Sequence, residues 1–497
     1  MPETNPTSTI HLSSRLAGAV WGHLTGDAVG VPYEFGPPRG ADTVVFGARG
    51  SHHQPAGTWS DDGALMLALL DSLLAGFDPG DQGRRALAWQ RHGAYTPDGD
   101  GLFDIGRTTS EALSRLASGK KAVDAGPADE DACGNGSLMR ILPVALVGRD
   151  LPPAPLIGRA HLASRVTHGH PRCQVACAVY CVAVVRLLRG QAPDEALAGA
   201  LADTGRLYTD EPGCEAHLAA LGELGAWTGR SGRGFVIDSF WSAWDAFAGA
   251  ADYADAIRRA VACGDDTDTT AAIAGGLAGA RWGWESIPLD WRRGMRGHDV
   301  AQPLVDRLVE TTGARTSTGS PLRVNELDLD GTPLHGQGRV GITFLPGKKR
   351  DGYTGPHWRD LDLDLARLRA LGVDTLLLLN EDEELRRALV TELPDVTATQ
   401  GPELARFPIP DAHVPRDLGA YRAVIVDAFE RIRAGGFVAI ACRGGIDRSG
   451  MTAACLLREL GLDAREAIRR TQAARYGSIT LGEQQEIVRG WPPPDPA

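Results

Sequence analysis

Two segments far apart in the sequence each place hydroxyl and carboxylate side chains at the start of a predicted helix. The first is Ser60-Asp61-Asp62, and the second is Asp266-Thr267-Asp268-Thr269. Helix capping would explain one such side chain in each segment, because Ser, Thr and Asp accept hydrogen bonds from the free N–H groups of a first turn. Several adjacent carboxylates repel one another unless a hard cation binds them. Oxygen ligands favour Mg²⁺ or Mn²⁺ over zinc.

A third segment has the residue types of a thiol-dependent phosphate site. The apolar run 437–441 leads into Cys442, and glycines and a predicted helix follow it. A strand, a glycine-containing turn and a helix N-terminus form an anion site, and the same field stabilises a thiolate. Arg448, six residues after Cys442, is placed to bind phosphoryl oxygens through its planar guanidinium. The simpler alternative is a buried cysteine beside a surface arginine.

The elements that must hold these residues fall into two classes. From 15 to 312 the sequence is rich in Ala, Leu and Gly with helical periodicity, which predicts an all-α domain. Further on, the short apolar runs 373–379 and 436–441 each precede an amphipathic helix, which predicts an α/β domain with a largely parallel central sheet. We therefore predict a multidomain chain with a disordered N-terminus over 1–14, an all-α domain over 15–312, a linker over 313–338, and an α/β domain over 339–493.

Composition and charge exclude some classes of protein. The net charge of −12 argues against sequence-independent binding to nucleic-acid phosphates. The first residues lack the pattern of a signal peptide, and no apolar run approaches a membrane span, so we expect a soluble, cytoplasmic protein without a membrane partner. The eight cysteines include no CxxC pair, which argues against a disulfide framework and a structural zinc site. Cys173, Cys177 and Cys181 are expected to be small core residues of a helix.

Four ordered motifs give residues 15–308 a family resemblance. They are Gly26-Asp27-Ala28-Val29-Gly30 with Glu34 shortly after, Ser60-Asp61-Asp62, Gly134-Asn135-Gly136-Ser137-Leu138-Met139-Arg140, and Asp266-Thr267-Asp268-Thr269. With them the chain resembles the ADP-ribosyl-acceptor hydrolases, the family of the dinitrogenase reductase-activating glycohydrolase. The resemblance implies an all-α fold, two Mg²⁺ or Mn²⁺ ions, and cleavage of the glycosidic bond that joins ADP-ribose to a modified protein or nucleic acid.

The resemblance also implies roles for individual residues. The metal ligands would be Ser60, Asp61, Asp62, Asp266, Asp268 and Thr269. The ADP-ribose site would include Asn135, Gly136, Ser137 and His168. Glu34 would be a metal-linked, gating catalytic residue. One departure is Gly63, which stands where a threonine often follows the paired aspartates and leaves that turn less supported.

The segment 340–488 resembles the dual-specificity and tyrosine phosphatases, most closely the cyclin-dependent kinase inhibitor-associated phosphatase group. The resemblance rests on Cys442 to Ser449 and on Asp411 in a Pro-bounded loop. It implies a phosphocysteine intermediate on a phosphomonoester substrate, with Cys442 as nucleophile, Asp411 as general acid and Ser449 assisting departure of the thiolate. The phosphate-binding residues would be Arg443, Gly444, Gly445, Ile446, Asp447 and Arg448.

Two residues depart from the phosphatase pattern. Ala441 stands where many relatives have a histidine, and Asp447 would place a carboxylate within the phosphate site. Each could slow phosphate binding, so a second hypothesis stays open: a signalling or binding protein whose phosphatase-like module recognises phosphate or ADP-ribose without turnover. The sequence does not predict the oligomeric state, the acceptor linkage or the phosphatase substrate.

Overall fold

A computed structural model describes residues 10–97, 102–352 and 355–492 of the chain. The chain divides into two compact units, Met1–Thr312 and Gly313–Ala497, which we call the first unit and the second unit. Each unit contains one of the two sets of candidate catalytic residues.

The first unit is built from helices, as its periodicity predicts. The α-helices in its described residues are α1 (Leu12–Gly30), α2 (Asp61–Ala75), α3 (Pro79–His92), α4 (Arg107–Ala117), α5 (Leu142–Val147), α6 (Pro153–Arg165), α7 (Pro171–Leu188), α8 (Pro193–Asp210), α9 (Glu215–Ala226), α10 (Val236–Ala248), α11 (Tyr253–Ala262), α12 (Thr267–Trp282), α13 (Leu289–Gly294) and α14 (His298–Glu310). The all-α prediction for this unit is confirmed.

Helices α1 and α12 lie in backbone contact along a row of glycines. A Cβ atom on Gly22 would lie 2.5 Å from the carbonyl oxygen of Gly275, and one on Gly26 would lie 2.1 Å from the carbonyl oxygen of Ala271. Residues four apart share one face of a helix, so these glycines form a continuous smooth surface on α1. The close approach brings the C-terminal end of α1, with Asp27, against the N-terminal end of α12.

Helix α7 is the central helix of the first unit's core. It has the length and apolar character of a membrane span, but 83% of that window is buried inside the protein, as expected for a core helix. Cys173, Cys177 and Cys181 are fully buried along it and are not paired in disulfides. Their prediction as small core residues is confirmed.

The second unit is an α/β domain. Its described strands are β1 (Arg315–Thr316), β2 (Asn325–Glu326), β3 (Arg339–Phe344), β4 (Lys349–Gly352), β5 (Gly355–Trp358), β6 (Thr375–Leu378), β7 (Glu403–Arg406) and β8 (Phe437–Cys442). Its described helices are α15 (Leu361–Ala370), α16 (Asp382–Arg387), α17 (Leu393–Gln400), α18 (Leu418–Arg433), α19 (Asp447–Glu459), α20 (Ala464–Ala474) and α21 (Gly482–Arg489).

These strands form two sheets. The larger has the order β2-β3-β8-β6-β7, in which β2 is antiparallel to β3 and the other neighbours are parallel. Every residue of β8 is buried, so this central strand fixes the position of whatever follows Cys442. The smaller sheet has the order β1-β5-β4. The predicted α/β class and largely parallel central sheet are confirmed.

The predictions for the segments 1–14 and 313–338 need correction. Residues 1–9 of the expected disordered N-terminus lie outside the described residues, but α1 already begins at Leu12, and Ser13 and Ser14 are buried. The linker expected over 313–338 is wrong, because this segment forms β1 and β2 and buries leucines in the core of the second unit. These leucines stand singly among turn residues, so the segment shows no periodicity although it belongs to the core.

Candidate active sites

Five acidic side chains meet in the first unit at the point where α1, α2 and α12 converge. Carboxylate oxygens of Asp27, Asp62 and Asp268 lie within 4.8 Å of one another, and so do those of Glu34, Asp266 and Asp268. The two groups share Asp268, which makes it the centre of the arrangement. We call these five residues the carboxylate cluster.

Backbone and hydroxyl groups hold the cluster in place. The Asp27 carboxylate accepts hydrogen bonds from the backbone N–H groups of Ser60, at 2.9 and 3.1 Å, and Gly63, at 2.8 Å. Asp62 Oδ2 accepts from the hydroxyls of Ser60 and Thr269, each at 3.1 Å, which links α2 to α12. Ser60 is also the N-cap of α2, so capping and site building use the same residue.

Gly63 fits its position for a steric reason. A Cβ atom there would lie 2.7 Å from Cδ1 of the Trp59 ring and 2.8 Å from Cδ2 of Leu24. The absence of a threonine at this position is therefore matched by the packing of Trp59, and the turn keeps its hydrogen bond to Asp27.

Some carboxylate oxygens of the cluster lack hydrogen-bond partners within the parts of the chain that the structure describes. Asp62 Oδ1 and Asp268 Oδ2 are buried and have no hydrogen-bond partner among the described residues. Burial, and then the neighbouring carboxylates, raise the pKa of Asp61, Asp62 and Asp268 well above its usual range, and burial raises the pKa of Asp27 to about 7. Buried carboxylates that lack a partner are costly, and a hard divalent cation with oxygen ligands relieves that cost. The residues present therefore fit a metal site.

Glu34 lies where this cluster meets a further group. It is buried, its carboxylate contacts His52 Nε2, and Glu34, His52 and Asp104 place ligand atoms within 4.8 Å of one another. Burial, followed by the charge of Asp104, raises the pKa of Glu34 to about 9. The sequence reasoning missed His52 and Asp104, because both lie in loop segments and neither belongs to a recognisable motif. It quoted Asp27 only as part of a motif.

The segment Gly134–Ser137 lies beside the cluster. Asn135 Nδ2 donates to Asp266 Oδ2 at 2.8 Å and to Ser239 Oγ at 2.9 Å. A Cβ atom on Gly136 would lie 2.8 Å from Cε1 of His168, so only glycine allows this close packing. The structure thus brings Asn135 to the carboxylates and packs His168 beneath the turn.

His168 and Ser137 are fully buried beneath that turn. Ser164 Oγ donates to Ser137 Oγ and to the His168 carbonyl oxygen, each at 3.0 Å. Burial, and then Arg140, lower the pKa of His168 to about 3, so its imidazole is neutral. In this structure both side chains support the turn from inside, and the Asn135 side chain makes the contact with the cluster.

The second unit carries the thiol site in the loop between β8 and α19. Cys442 Sγ lies 3.2 Å from Ser449 Oγ. A cavity of about 400 Å³ opens over this loop, and the described residues that line it are Gly352, Asp411, Ala412, Cys442, Arg443, Gly444, Ile446, Asp447 and Arg448. Gly445 has φ +62, and a Cβ atom there would lie 2.5 Å from the Thr343 carbonyl oxygen, so the loop packs tightly against β3.

Two carboxylates hold the Arg448 guanidinium. Arg448 donates to both oxygens of Glu384 at 2.6 Å and to Asp411 Oδ1 at 2.9 Å, and it also donates to the Ile409 carbonyl oxygen. Burial acts to raise the pKa of Glu384, but the hydrogen bonds and charge of Arg448, together with hydrogen bonds from Glu381 and Asn380, lower the pKa overall. Sequence reasoning placed Asp411 and Arg448 in one site, which the structure does as well. It missed Glu384, whose only sequence signal is a place among four acidic residues.

Asp447 lines the cavity, but its carboxylate is engaged elsewhere. Asp447 Oδ1 accepts hydrogen bonds from the backbone N–H and the hydroxyl of Thr480, at 3.0 and 2.9 Å. Side chains from outside the Cys442 loop also hold the loop in place. Lys348 Nζ donates to the Arg443 carbonyl oxygen, and Arg475 donates to the carbonyl oxygens of Gly444 and Gly445. The carbonyl oxygens of Arg443, Gly444 and Gly445 are thereby engaged by cationic side chains.

Comparisons with known proteins match both units separately. The family model described as ADP-ribosylglycohydrolase matches residues 8–318, and the model described as Cyclin-dependent kinase inhibitor 3 matches residues 320–473. An ADP-ribosylarginine hydrolase of Pseudomonas putida is 29% identical over 307 residues, covering 60% of this chain and 78% of the relative. The second unit is a protein-phosphatase-like domain.

Two solved structures are each similar to part of the chain. An "ADP-ribosylglycohydrolase-related protein complex" is 32% identical with a TM-score of 0.50, covering 61% of this chain and 99% of that chain. A kinase-associated phosphatase is 22% identical with a TM-score of 0.31, covering 34% of this chain and 93% of that chain.

Proposed function

Because the chain belongs to the ADP-ribosylglycohydrolase family, we propose that its first unit is a divalent-metal-dependent hydrolase that removes ADP-ribose from a modified acceptor. We propose in addition that its second unit is a cysteine-dependent phosphatase. The observation that carries the first proposal is the carboxylate cluster, with two buried carboxylate oxygens that lack partners.

The metal proposal is specific about ligands. Asp62 and Asp268 offer those two oxygens, and Asp266 lies beside them. Asp61, Ser60 and Thr269 stand on the same two helix ends and complete the proposed set, which suits two Mg²⁺ or Mn²⁺ ions. When bound, such ions supply Lewis acidity and a water of lowered pKa.

The candidate residues of the first unit that are not proposed metal ligands have roles in binding and orienting the substrate. Asn135 fixes the Asp266 carboxylate through its amide and keeps it facing the cluster. The backbone N–H of Asn135 donates to the Gly234 carbonyl oxygen, so the N–H groups of Gly136 and Ser137 are the ones proposed to bind the diphosphate of ADP-ribose, and the glycine permits close approach. Glu34, which is buried beside His52 and belongs to the cluster, is the proposed gating residue. An ADP-ribosylated protein is the proposed substrate, and an ADP-ribosylated nucleic acid is the alternative.

The experiment for the first unit measures release of ADP-ribose from ADP-ribosylated arginine and serine peptides. We expect activity with Mg²⁺ or Mn²⁺, loss in EDTA, and loss of at least about 100-fold in Asp268→Asn, since even outer-shell metal partners contribute 10- to 100-fold. Asp150→Asn, at an exposed aspartate with 89% of its side chain accessible, is the matched control. Full activity in excess EDTA would contradict the proposal.

In the second unit, the proposed reaction has two steps. Cys442 Sγ attacks the phosphorus atom and forms an S–P bond while the bond to the leaving oxygen breaks and Asp411 gives that oxygen a proton. Water then attacks the phosphorus atom, Asp411 takes its proton, and the thiolate leaves with a hydrogen bond from Ser449 Oγ. Arg448 binds the phosphoryl oxygens, and its contact with Glu384 sets the plane of the fork.

The test of the second unit uses Cys442→Ser. We expect loss of turnover on an aryl phosphate, because an unactivated hydroxyl is a much weaker nucleophile than a thiolate. Binding of inorganic phosphate should persist in this variant. Vanadate should inhibit the parent protein. Phosphate binding without any turnover in the parent would instead support a module that recognises phosphate only.

A further inference from the structure

A second pocket of about 340 Å³ lies beside the thiol cavity in the second unit. It shares Gly444 and Ile446 with that cavity. Its described lining residues are Arg315, Ser320, Pro321, Arg323, Asn325, Phe344, Lys348, His357, Gly444, Ile446 and Arg475. The two spaces therefore have part of the Cys442 loop as a common wall.

The second pocket is strongly cationic in a chain that is acidic overall. Four of its described lining residues are Arg or Lys, and none of them is Asp or Glu. The net charge of the chain is −12, so this concentration of positive charge is local and not a general property of the surface. Positive charge of this density in a concave site attracts anions, and arginine is especially suited to phosphate.

Two of the polar side chains in the pocket wall are buried. Lys348 is 5% exposed and His357 is 4% exposed, and His357 Nδ1 has no hydrogen-bond partner among the described residues. Burial, then the cationic neighbours, lower the pKa of Lys348 to about 8, so much of it remains charged at neutral pH. Lys348 Nζ donates to the Arg443 carbonyl oxygen, whereas His357 Nδ1 has no such partner in the described part of the chain. Buried polar groups are normally paired, so this nitrogen in the pocket wall indicates a place for a polar ligand.

A rigid framework supports the wall that carries these groups. β1 pairs in parallel with β5, which sets Arg315 opposite His357. The buried Arg359 forms two 2.7 Å hydrogen bonds with Asp364 and also donates to the Ser320 carbonyl oxygen at 2.9 Å. The pocket is thus held by the sheet β1-β5-β4 and by a buried ion pair, not by mobile surface side chains alone.

We propose that this second pocket binds a further phosphate group of the phosphatase substrate, so that the preferred substrate is a small phosphomonoester with a second phosphate or diphosphate. The proposal rests on the proposed phosphatase function and adds its substrate class. The adjoining position favours two phosphates on one molecule, since one sits over Cys442 while the other is held by Arg315, Arg323 and Arg475. The limited volume favours a nucleotide-sized compound over a protein segment.

The kinetic test compares adenosine 3′,5′-bisphosphate with adenosine 5′-monophosphate in the full chain, by release of inorganic phosphate. We expect kcat/KM to be at least about tenfold higher for the bisphosphate. In Arg323→Ala this preference should fall by about tenfold, because one arginine–phosphate contact is lost. The matched control is Arg465→Ala, at an exposed arginine on α20 that does not line the pocket, and it should keep the preference.

A binding test separates this proposal from the phosphatase proposal. In Cys442→Ser, calorimetry should show tighter binding of the bisphosphate than of the monophosphate, and the additional Arg323→Ala substitution should remove the difference. This result stands even if the parent protein has no turnover. Equal binding of the two nucleotides in the parent and in Arg323→Ala would overturn the second phosphate site. Selective hydrolysis of doubly phosphorylated peptides over the bisphosphate would overturn the small-molecule assignment.

Discussion

Arg448 of the second unit shows how one side chain depends on neighbours that its motif does not contain. Its fork is held by Glu384 of α16, by Asp411, and by the carbonyl oxygen of Ile409. The Cys-x5-Arg spacing brings Arg448 to the phosphate site, but Glu384, 64 positions away, determines its orientation. A residue of this kind has no local sequence signal, because it acts through a contact that only the fold creates.

Glu384→Gln tests this dependence. We expect the inhibition constant of vanadate to rise by about tenfold, since an Arg448 fork without its ionised partner is less well oriented and one charge-assisted contact contributes about 1.5 kcal/mol. Glu383→Gln, at the exposed neighbour on the same helix, is the matched control and should not change it. Unchanged inhibition in Glu384→Gln would show that Glu384 does not position Arg448.

A histidine of the first unit predicts sensitivity to acid. His161 Nε2 lies 2.7 Å from the Tyr208 hydroxyl, and its ring stacks on that of His217. Burial, then His217 and Arg165, lower the pKa of His161 to about 3. The unfolded chain takes up a proton below about pH 6.5 while the folded chain does not, so stability falls as the pH decreases from 6.5 towards 3.

Replacement of His161 measures this effect. Between pH 7 and pH 5 the parent should lose up to about 2 kcal/mol of unfolding free energy through His161. His161→Gln should therefore show a smaller drop in Tm over this range than the parent does. His92→Gln, at an exposed histidine on α3, should behave as the parent. An identical drop in His161→Gln and the parent would contradict the assignment.

Among the elements, α1 and α12 determine whether the carboxylate cluster forms. The sequence predicts α12 and the acidic residues at its N-terminal end, because local patterns encode caps and periodicity. It does not predict that Gly22 and Gly275 meet, since the spacing of small residues does not reveal its partner helix. For the same reason Asp104 escaped notice: its place beside Glu34 depends on the path of a loop.

Gly22→Ala tests the helix contact. The added Cβ atom would lie 2.5 Å from a backbone oxygen, so α1 and α12 must separate, at a cost of about 1–3 kcal/mol. We expect a lower Tm together with weaker Mn²⁺ binding, because the cluster spans both helices. Gly222→Ala on α9 is the matched control: nothing lies within 4 Å of its Cβ position, and it should be neutral or slightly stabilising. Equal effects of Gly22→Ala and Gly222→Ala on Tm and on Mn²⁺ binding would contradict the contact between α1 and α12.

At the scale of the whole chain, the segment that follows the boundary between the two units belongs to the folded core of the second unit, although its composition resembles that of a linker. Residues 313–338 look like a linker because Gly, Pro, Thr and Asp dominate them. Their buried leucines nevertheless join the two hydrophobic clusters of the second unit. The fold class was predictable from the alternation of strands and helices, whereas this boundary was not, because single leucines carry no period.

Truncation tests the boundary. A fragment of residues 313–497 should fold cooperatively, whereas a fragment of residues 339–497 should be strongly destabilised. The shorter fragment lacks β1, β2 and the buried Leu322, Leu327 and Leu334, and each lost leucine costs about 2–5 kcal/mol. Circular dichroism during thermal unfolding would measure this difference. Equal Tm values for the two fragments would show that residues 313–338 do not stabilise the second unit and act as a linker.

The glycine contact between α1 and α12 has a consequence for biosynthesis. Thr267 Oγ1 donates to the Gly30 carbonyl oxygen across 237 positions of the chain. At a translation rate of about 5–20 residues per second, α1 leaves the ribosome roughly 10 to 50 seconds before α12. During that interval the bare glycine face of the nascent α1 has no partner, and the carboxylate cluster cannot assemble. The proposed metal ions can therefore bind only after the entire first unit has been synthesised.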